Sequence, residues 1–201
     1  MMELVAESER EKNSTEMIRR AQRLEPDSLD AIVEEYAPRL YGYFHRVTGS
    51  RNDAEDLVQE VFVRVVRMLP HYRHDGRFDA WIFRIAANLH RDRLRRLKRS
   101  PVQGYFEPDQ ATETESGPRA GRTAEDGGLA PSARMEREEE TRRLEAALAR
   151  LPIAEREAVM LRHYGELSFE EIAELMQTPL GTALARAHRG LQKLREWMTT
   201  S

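Results

Sequence analysis

One stretch of this chain has no structural period at all, and it limits the fold more than any other feature. Residues 100–132, SPVQGYFEPDQATETESGPRAGRTAEDGGLAPS, hold nine of the twenty Gly and Pro and space their apolar side chains neither as a helix nor as a strand. The segment reads as a flexible, acidic linker, and it divides the 201 residues into modules at 27–99 and 133–198. A coil of this length has a typical end-to-end distance of roughly 30 Å and reaches farther when stretched, so it can hold two modules on well-separated sites. Ahead of the first module, residues 1–26 carry only a weak stripe (Met17, Ile18, Ala21, Leu24) before Pro26 and read as a frayed or disordered extension.

Composition narrows the function. The chain has no Cys, which excludes disulfides, thiolate metal sites and cysteine nucleophiles and fits a reducing compartment. The start MMELVAESEREKN lacks the basic residues and apolar run of a signal peptide, and no apolar stretch reaches membrane-spanning length. A cytoplasmic protein without membrane insertion is expected.

Both modules read as helical throughout. Asp27 or Ser28 can cap a helix whose stripe of Leu29, Ile32, Val33 and Tyr36 continues past Pro38 through Leu40, Tyr41, Phe44 and Val47 to Gly49. Asn52 or Asp53 can cap the next, striped by Ala54, Leu57, Val58, Val61, Phe62, Val65, Met68 and Leu69. After the polar loop HYRHDGR, a third stripe of Phe78, Trp81, Ile82, Ile85 and Leu89 runs into a basic segment. The second module has helices near 133–151, 153–164, 168–176 and 179–198.

The net charge of −3 argues against a nucleic-acid role only as an average. Residues 84–99 carry +6 and residues 182–195 carry +4, which leaves −13 elsewhere. A solvated helix face accounts for one such run, but two compact basic helices in an acidic chain point to two separated polyanion contacts, because neutralising phosphates releases condensed counterions. The second lies in a local motif: Ser168 and Glu171 form a capping box, Ile172, Ala173 and Leu175 give a short buried face, and Thr178 with Pro179 opens the next helix. Two helices on a tight turn, the second basic and without an acid over 182–195, form a helix-turn-helix able to lay Thr182, Arg186, His188, Arg189 and Lys193 into a major groove.

The run LSFEEIAELM, then PLGTALARAHRGLQKLR, resembles region 4 of the extracytoplasmic-function sigma factors, two-domain initiation factors of bacterial RNA polymerase. Tyr36-Ala-Pro-Arg-Leu-Tyr41, Asp53-Ala-Glu-Asp-Leu-Val-Gln-Glu-Val-Phe62, Phe78-Asp-Ala-Trp-Ile-Phe-Arg-Ile-Ala-Ala-Asn88 and Asp92-Arg-Leu-Arg-Arg96 resemble region 2 in order and spacing. The resemblance implies an all-α fold of two small helical domains, a region 2 bundle and a region 4 helix-turn-helix. It also implies three partners: core RNA polymerase through its clamp coiled coil and flap, promoter DNA, and an anti-sigma factor.

Residue by residue, the resemblance places Asp56, Gln59, Glu60 and Val63 against the clamp. It places His74, Arg77, Arg84, Asn88, Arg91, Arg95 and Arg96 along the non-template strand of the minus-10 element. Asn88 would hydrogen-bond a splayed base while the arginines follow phosphates. Asp53 and Glu55 are better read as compensating the helix dipole. Phe78 and Trp81 lie on the apolar stripe and read as core rather than as base-stacking platforms.

Thr182, Arg186, His188, Arg189 and Lys193 would meet the minus-35 duplex. There the chain departs from the family, with Ala183, Leu184 and Ala185 where a valine, a basic and a small polar residue usually follow Gly-Thr. Leu180, Leu184, Ala187, Leu191, Leu194 and Met198 form a stripe displaced from the small residues Ala183, Ala187 and Gly190 that the family pattern would bury. Base readout would then rest on Arg186, His188, Arg189 and DNA shape, leaving Leu184 and Leu191 for protein or thymine methyls.

His71, His74 and Asp75 are loop polarity rather than a metal cluster, and no phosphate loop, nucleophile elbow or buried acid pair is present. No cofactor and no enzymatic activity are expected. A free-standing helix-turn-helix regulator, or a sigma-like decoy for an anti-sigma factor, are the alternatives.

Overall fold

A computed structural model describes residues 15–99 and 131–199. The extension before residue 15 and the linker over 100–130 lie outside the described residues. Among the described residues eight α-helices run in chain order: α1 (15–22), α2 (Pro26–Thr48), α3 (Arg51–Met68), α4 (Phe78–Arg99), α5 (Pro131–Arg150), α6 (Ile153–Tyr164), α7 (Phe169–Leu175) and α8 (Leu180–Thr199), with one 3₁₀ turn at Leu69–His71. No strand occurs among the described residues.

Local chemistry sets the helix ends, not always as expected. Helix α2 starts two to three residues earlier than the expected caps Asp27 or Ser28 would set, with Glu25 extended before Pro26, and Ser28 is buried rather than capping. It passes through Pro38 unbroken and stops at Gly49, whose φ of 69° closes the end by donating to the His45 carbonyl at 2.9 Å. Ser50, not Asn52 or Asp53, caps α3, its hydroxyl accepting from the Asp53 backbone N–H at 3.2 Å. The Ser168–Glu171 capping box at the start of α7 is formed in both directions.

The expectation of a frayed extension through residue 26 fails at α1. Ile18 and Ala21 are fully buried, and the Gln22 amide donates to the carbonyls of Leu69 at 3.3 Å and Tyr72 at 2.5 Å. A stripe of two helical turns is too short to predict a helix by itself, because helix nucleation is costly without tertiary packing. Here the packing is supplied by the end of α3 and the loop behind it. In the first module Ile32, Tyr36, Leu40, Tyr43, Phe44 and Val47 of α2 meet Leu57, Val61 and Val65 of α3 and Phe78, Ile82, Phe83 and Leu89 of α4. Phe78 is buried, as expected, and Trp81 is half-buried against Tyr72 at 4.5 Å and Phe78 at 5.3 Å.

In the second module α8 crosses α6 so closely that a Cβ on Gly190 would lie 2.8 Å from Val159 Cγ2. That approach decides which face of α8 is buried. Ala183, Ala187 and Gly190 go inward, and Leu180, Leu184 and Leu191 stay 41%, 41% and 55% exposed.

The two modules do not stand apart. Helix α6 packs on α2 and α4 as well as on α8, and the buried side chains of both halves form one cluster. Gly42 makes room for the Tyr164 ring, since a Cβ there would meet Cε1 at 2.9 Å. Arg39 donates to the Tyr164 carbonyl at 2.8 Å, pairs with Asp79, and lies over the rings of Tyr36 and Phe83. The apolar faces of the two modules set where they rest against each other.

His90 lies buried in α4, near Arg91, Arg93 and Arg156, with no hydrogen-bond partner on either ring nitrogen. Burial, then those three cations, push its pKa down to about 4. The folded value is below the unfolded one, so the unfolded chain binds the proton more strongly. Stability is then lost as pH falls from about 6.5 toward 4. His90→Leu, which orphans no polar group, should lose about 2 kcal/mol less than the parent between pH 7 and pH 5 in urea unfolding. Equal losses in the two chains would show that His90 is accessible to protons in the folded state.

Candidate nucleic-acid and partner surfaces

On α4, burial of Ile82, Ile85, Ala86 and Leu89 leaves Arg84, Asn88, Arg91 and Arg95 in a row at i, i+4, i+7 and i+11. Sequence reasoning gave this row to strand phosphates and a base. The structure sets most of it against acids of the second module. Arg77 pairs with Glu171, and Arg84 reaches Glu174 at 3.1 Å and Glu171 at 3.6 Å. Arg91 pairs with Glu157 at 3.1 Å and donates to the Leu175 carbonyl at the end of α7. Arg95 meets only Asp92 of its own helix at 3.3 Å, and Asn88 and Arg96 are exposed. Arg84, Asn88, Arg91 and Arg95 line a crevice of about 280 Å³, closed on the other side by Glu174, Leu175 and Gln177.

His74 does not join this row. Its ring bonds the Thr15 hydroxyl of α1 at 3.1 Å, because the loop folds back over the first helix.

The glutamates concerned are not ordinary surface acids. Burial pushes the Glu157 carboxyl up, and its charge is supported by Arg91 and by the nearby Arg186 of α8. Hydrogen bonds from Lys193 and then Arg189 hold Glu155 below the usual carboxylate range, at 2.8 Å and 3.2 Å. Glu171 was legible in the sequence as a cap. Its pairing with Arg77 and Arg84, some ninety positions away, has no local signature.

Helix α7 and α8 meet through a turn in which Gln177 takes a φ of 50° and the Thr178 N–H bonds the Ala173 carbonyl at 2.9 Å. At 100° per residue, Thr182, Arg186, Arg189 and Lys193 share one flank of α8, while Leu180, Leu184 and Leu191 share the other. His188 is exposed on the outer side toward the leucines, apart from the four residues with which the sequence grouped it.

On α3, Asp56, Gln59 and Val63 are exposed and Glu60 is half-buried beside Arg64 at 2.8 Å, all on the side opposite the buried Ala54, Leu57, Val61 and Val65. Asp53 and Glu55 are occupied locally by Arg93 and by Arg51 at 3.0 Å. Among the described residues no group of three His, Cys, Asp or Glu could hold a metal ion, and no helix is long and apolar enough to cross a membrane.

Comparison with known proteins follows this geometry. Residues 32–100 match the family model of Sigma-70 region 2, and residues 141–194 match that of Sigma-70, region 4. The ECF RNA polymerase sigma factor SigW of Bacillus subtilis is 30% identical over 179 residues, covering 89% of this chain and 93% of that protein. SigE of Mycolicibacterium smegmatis is 36% identical over 171 residues, which span 85% of this chain but 62% of that longer protein. Among solved structures, the Bartonella quintana sigma factor RpoE, in complex with the anti-sigma factor NepR, superposes with a TM-score of 0.61 at 20% identity over 85% of this chain and 96% of that one. CnrH, in complex with the cytosolic domain of CnrY, gives 0.55 at 21% identity over 92% and 96%. These two likenesses show a common helical fold, and with both region models matched in order, the chain belongs to the extracytoplasmic-function sigma factors of the sigma-70 family.

Proposed function

We propose that the chain acts in the cytoplasm as a promoter-specificity subunit, docking on core RNA polymerase through α3, holding the minus-10 strand along α4 and meeting the minus-35 duplex through α8. The observation that carries this reading is the division of surfaces on the first module. Helix α3 turns Asp56, Gln59, Glu60 and Val63 outward, acids and an exposed valine suited to a protein partner. The neighbouring α4 carries Arg84, Asn88, Arg91 and Arg95 along one edge, a row suited to phosphates and a base, with Asn88 and Arg95 exposed and Arg84 and Arg91 paired with acids of the second module. Phosphodiester chemistry belongs to the polymerase, and the chain contributes binding and orientation. An anti-sigma factor, the partner present in the similar RpoE structure, is the inhibitor this fold would accept.

Run-off transcription with purified core polymerase tests the assignment. A specificity subunit directs initiation from particular promoters, a free-standing regulator only modulates another holoenzyme, and a decoy does neither. Reversing charge with Asp56→Lys and Glu60→Lys should weaken core binding by at least about 30-fold, the scale of an interface hot spot, while duplex binding through α8 is retained. Unchanged core affinity would move the docking surface elsewhere.

For α8 we propose that Arg186, Arg189 and Lys193 supply the phosphate and base contacts, with His188 and the exposed leucines making a separate strip. Leu184→Lys should then alter either minus-35 preference or binding of a protein partner, read by promoter-variant transcription and by co-purification. If neither changes, the leucine strip has no recognition role.

A further inference from the structure

We infer that Gln22 of α1 positions the loop between α3 and α4, and through it the start of the strand-holding face, without touching the strand itself. The role rests on the strand-holding reading of α4 and adds to it a helix outside that face.

The loop needs a hold from outside. Once the 3₁₀ turn after α3 closes, residues 72–77 have no regular structure, so their backbone groups must find partners elsewhere. Two bonds are local: the Tyr72 N–H donates to the Leu69 carbonyl at 3.1 Å, and the Arg77 N–H donates to the Asp75 carboxylate at 3.1 Å. Gln22 adds the contact from another element. Its amide nitrogen carries two hydrogens and donates to the carbonyls of Leu69 at 3.3 Å and Tyr72 at 2.5 Å. One side chain thereby ties the 3₁₀ turn to the first residue of the loop.

Positions 15, 18 and 22 share one face of α1, at i, i+3 and i+7. Ile18 is fully buried there, and the Thr15 hydroxyl lies 3.1 Å from His74 Nε2. The helix grips the segment 72–74 at both ends, with an apolar anchor between the two polar contacts. His74 Nδ1 is buried and finds no partner among the described residues, so the ring serves this brace rather than a strand.

The braced segment bears directly on α4. The Tyr72 ring packs on Trp81 at 4.5 Å and on Phe78 at 5.5 Å, both in the first turn of that helix. Arg77 stands just before this turn, and Arg84 and Asn88 follow it along the helix. Closely packed rings have few alternative arrangements, so a shift of the Tyr72 backbone passes to the start of α4 and to Arg77.

Gln22→Met tests this in the full chain, because it keeps the length of the side chain and removes both donated bonds. Gln22→Lys returns a donor of similar reach. Val47→Ala is the stability control: Val47 is buried beside the start of α3, about 25 Å along that helix from the loop. The chain has two tryptophans, so in a Trp197→Phe background acrylamide quenching reports whether Tyr72 still covers Trp81. The second readout is run-off transcription with core polymerase, as the ratio of product from a promoter the parent uses to product from the same promoter with its minus-10 bases changed. Gln22→Met should raise quenching and lower the ratio about three- to tenfold, the usual net contribution of one hydrogen bond. Gln22→Lys should restore both, and Val47→Ala should move neither.

An unchanged ratio in Gln22→Met overturns the positioning role, whatever the quenching shows. An equal fall in Val47→Ala overturns it too, since lost stability would then suffice. Where Gln22→Met does not fold, Thr15→Val removes the other hold: a fall in the same ratio supports the brace, and no change overturns it. If the parent initiates equally at both promoters, the strand-holding reading of α4 falls and the brace with it. If the parent discriminates and the α1 variants match it, the brace alone falls.

Discussion

Helix α6 is the element on which the remainder of the structure depends, because it is buried around most of its circumference while carrying two shielded glutamates. Ala158, Val159, Met160 and Leu161 pack against α2, α4 and α8 in turn, and Glu155 and Glu157 lie among them. A carboxylate withdrawn from water needs cations or donors close by. For Glu155 they come from α8 and for Glu157 from α4, so the helix that joins the two cores also draws in both basic rows. The apolar contact and the charge pairing reinforce one another, and neither half can be rearranged without the other.

Much of the fold was legible in the sequence because its signals are local. Helix positions follow from 3.6-residue apolar spacing, the α7 start from Ser168 and Glu171 three positions apart, and the end of α2 from Gly49 in a left-handed conformation. What failed to show was non-local. Helix α1 exists only because Ile18 and Ala21 find an apolar surface made by later residues, and His74 turns inward because that helix is there to receive it. The pairing of Arg77 with Glu171 leaves no trace in either neighbourhood, where the arginine reads as a loop cation and the glutamate as a cap.

The face chosen by α8 shows how a packing constraint overrides a hydrophobic count. A leucine stripe would bury more apolar area per residue, but the distance between α6 and α8 admits only Ala183, Ala187 and Gly190 at the crossing. A leucine at the Gly190 position would drive the helices apart and overpack the Val159 contact. The leucines are thereby left on the surface of α8, a place where apolar side chains carry recognition or aggregation risk rather than stability.

The charge arithmetic changes meaning in the closed chain. Of the acids that make up the −13 outside the two basic segments, four, Glu155, Glu157, Glu171 and Glu174, pair with cations of the chain's own basic helices and of the loop before α4. A phosphate that binds such a chain exchanges one anion for another instead of meeting an unpaired arginine, so the gain from counterion release is partly offset and stray DNA is held weakly. A protein partner taking the proposed docking face of α3 would not meet this cost, because Asp56, Gln59 and Val63 are already exposed. A protein partner at α3 and nucleic acid at α4 would therefore meet different costs, the first on a face already exposed and the second on arginines already paired.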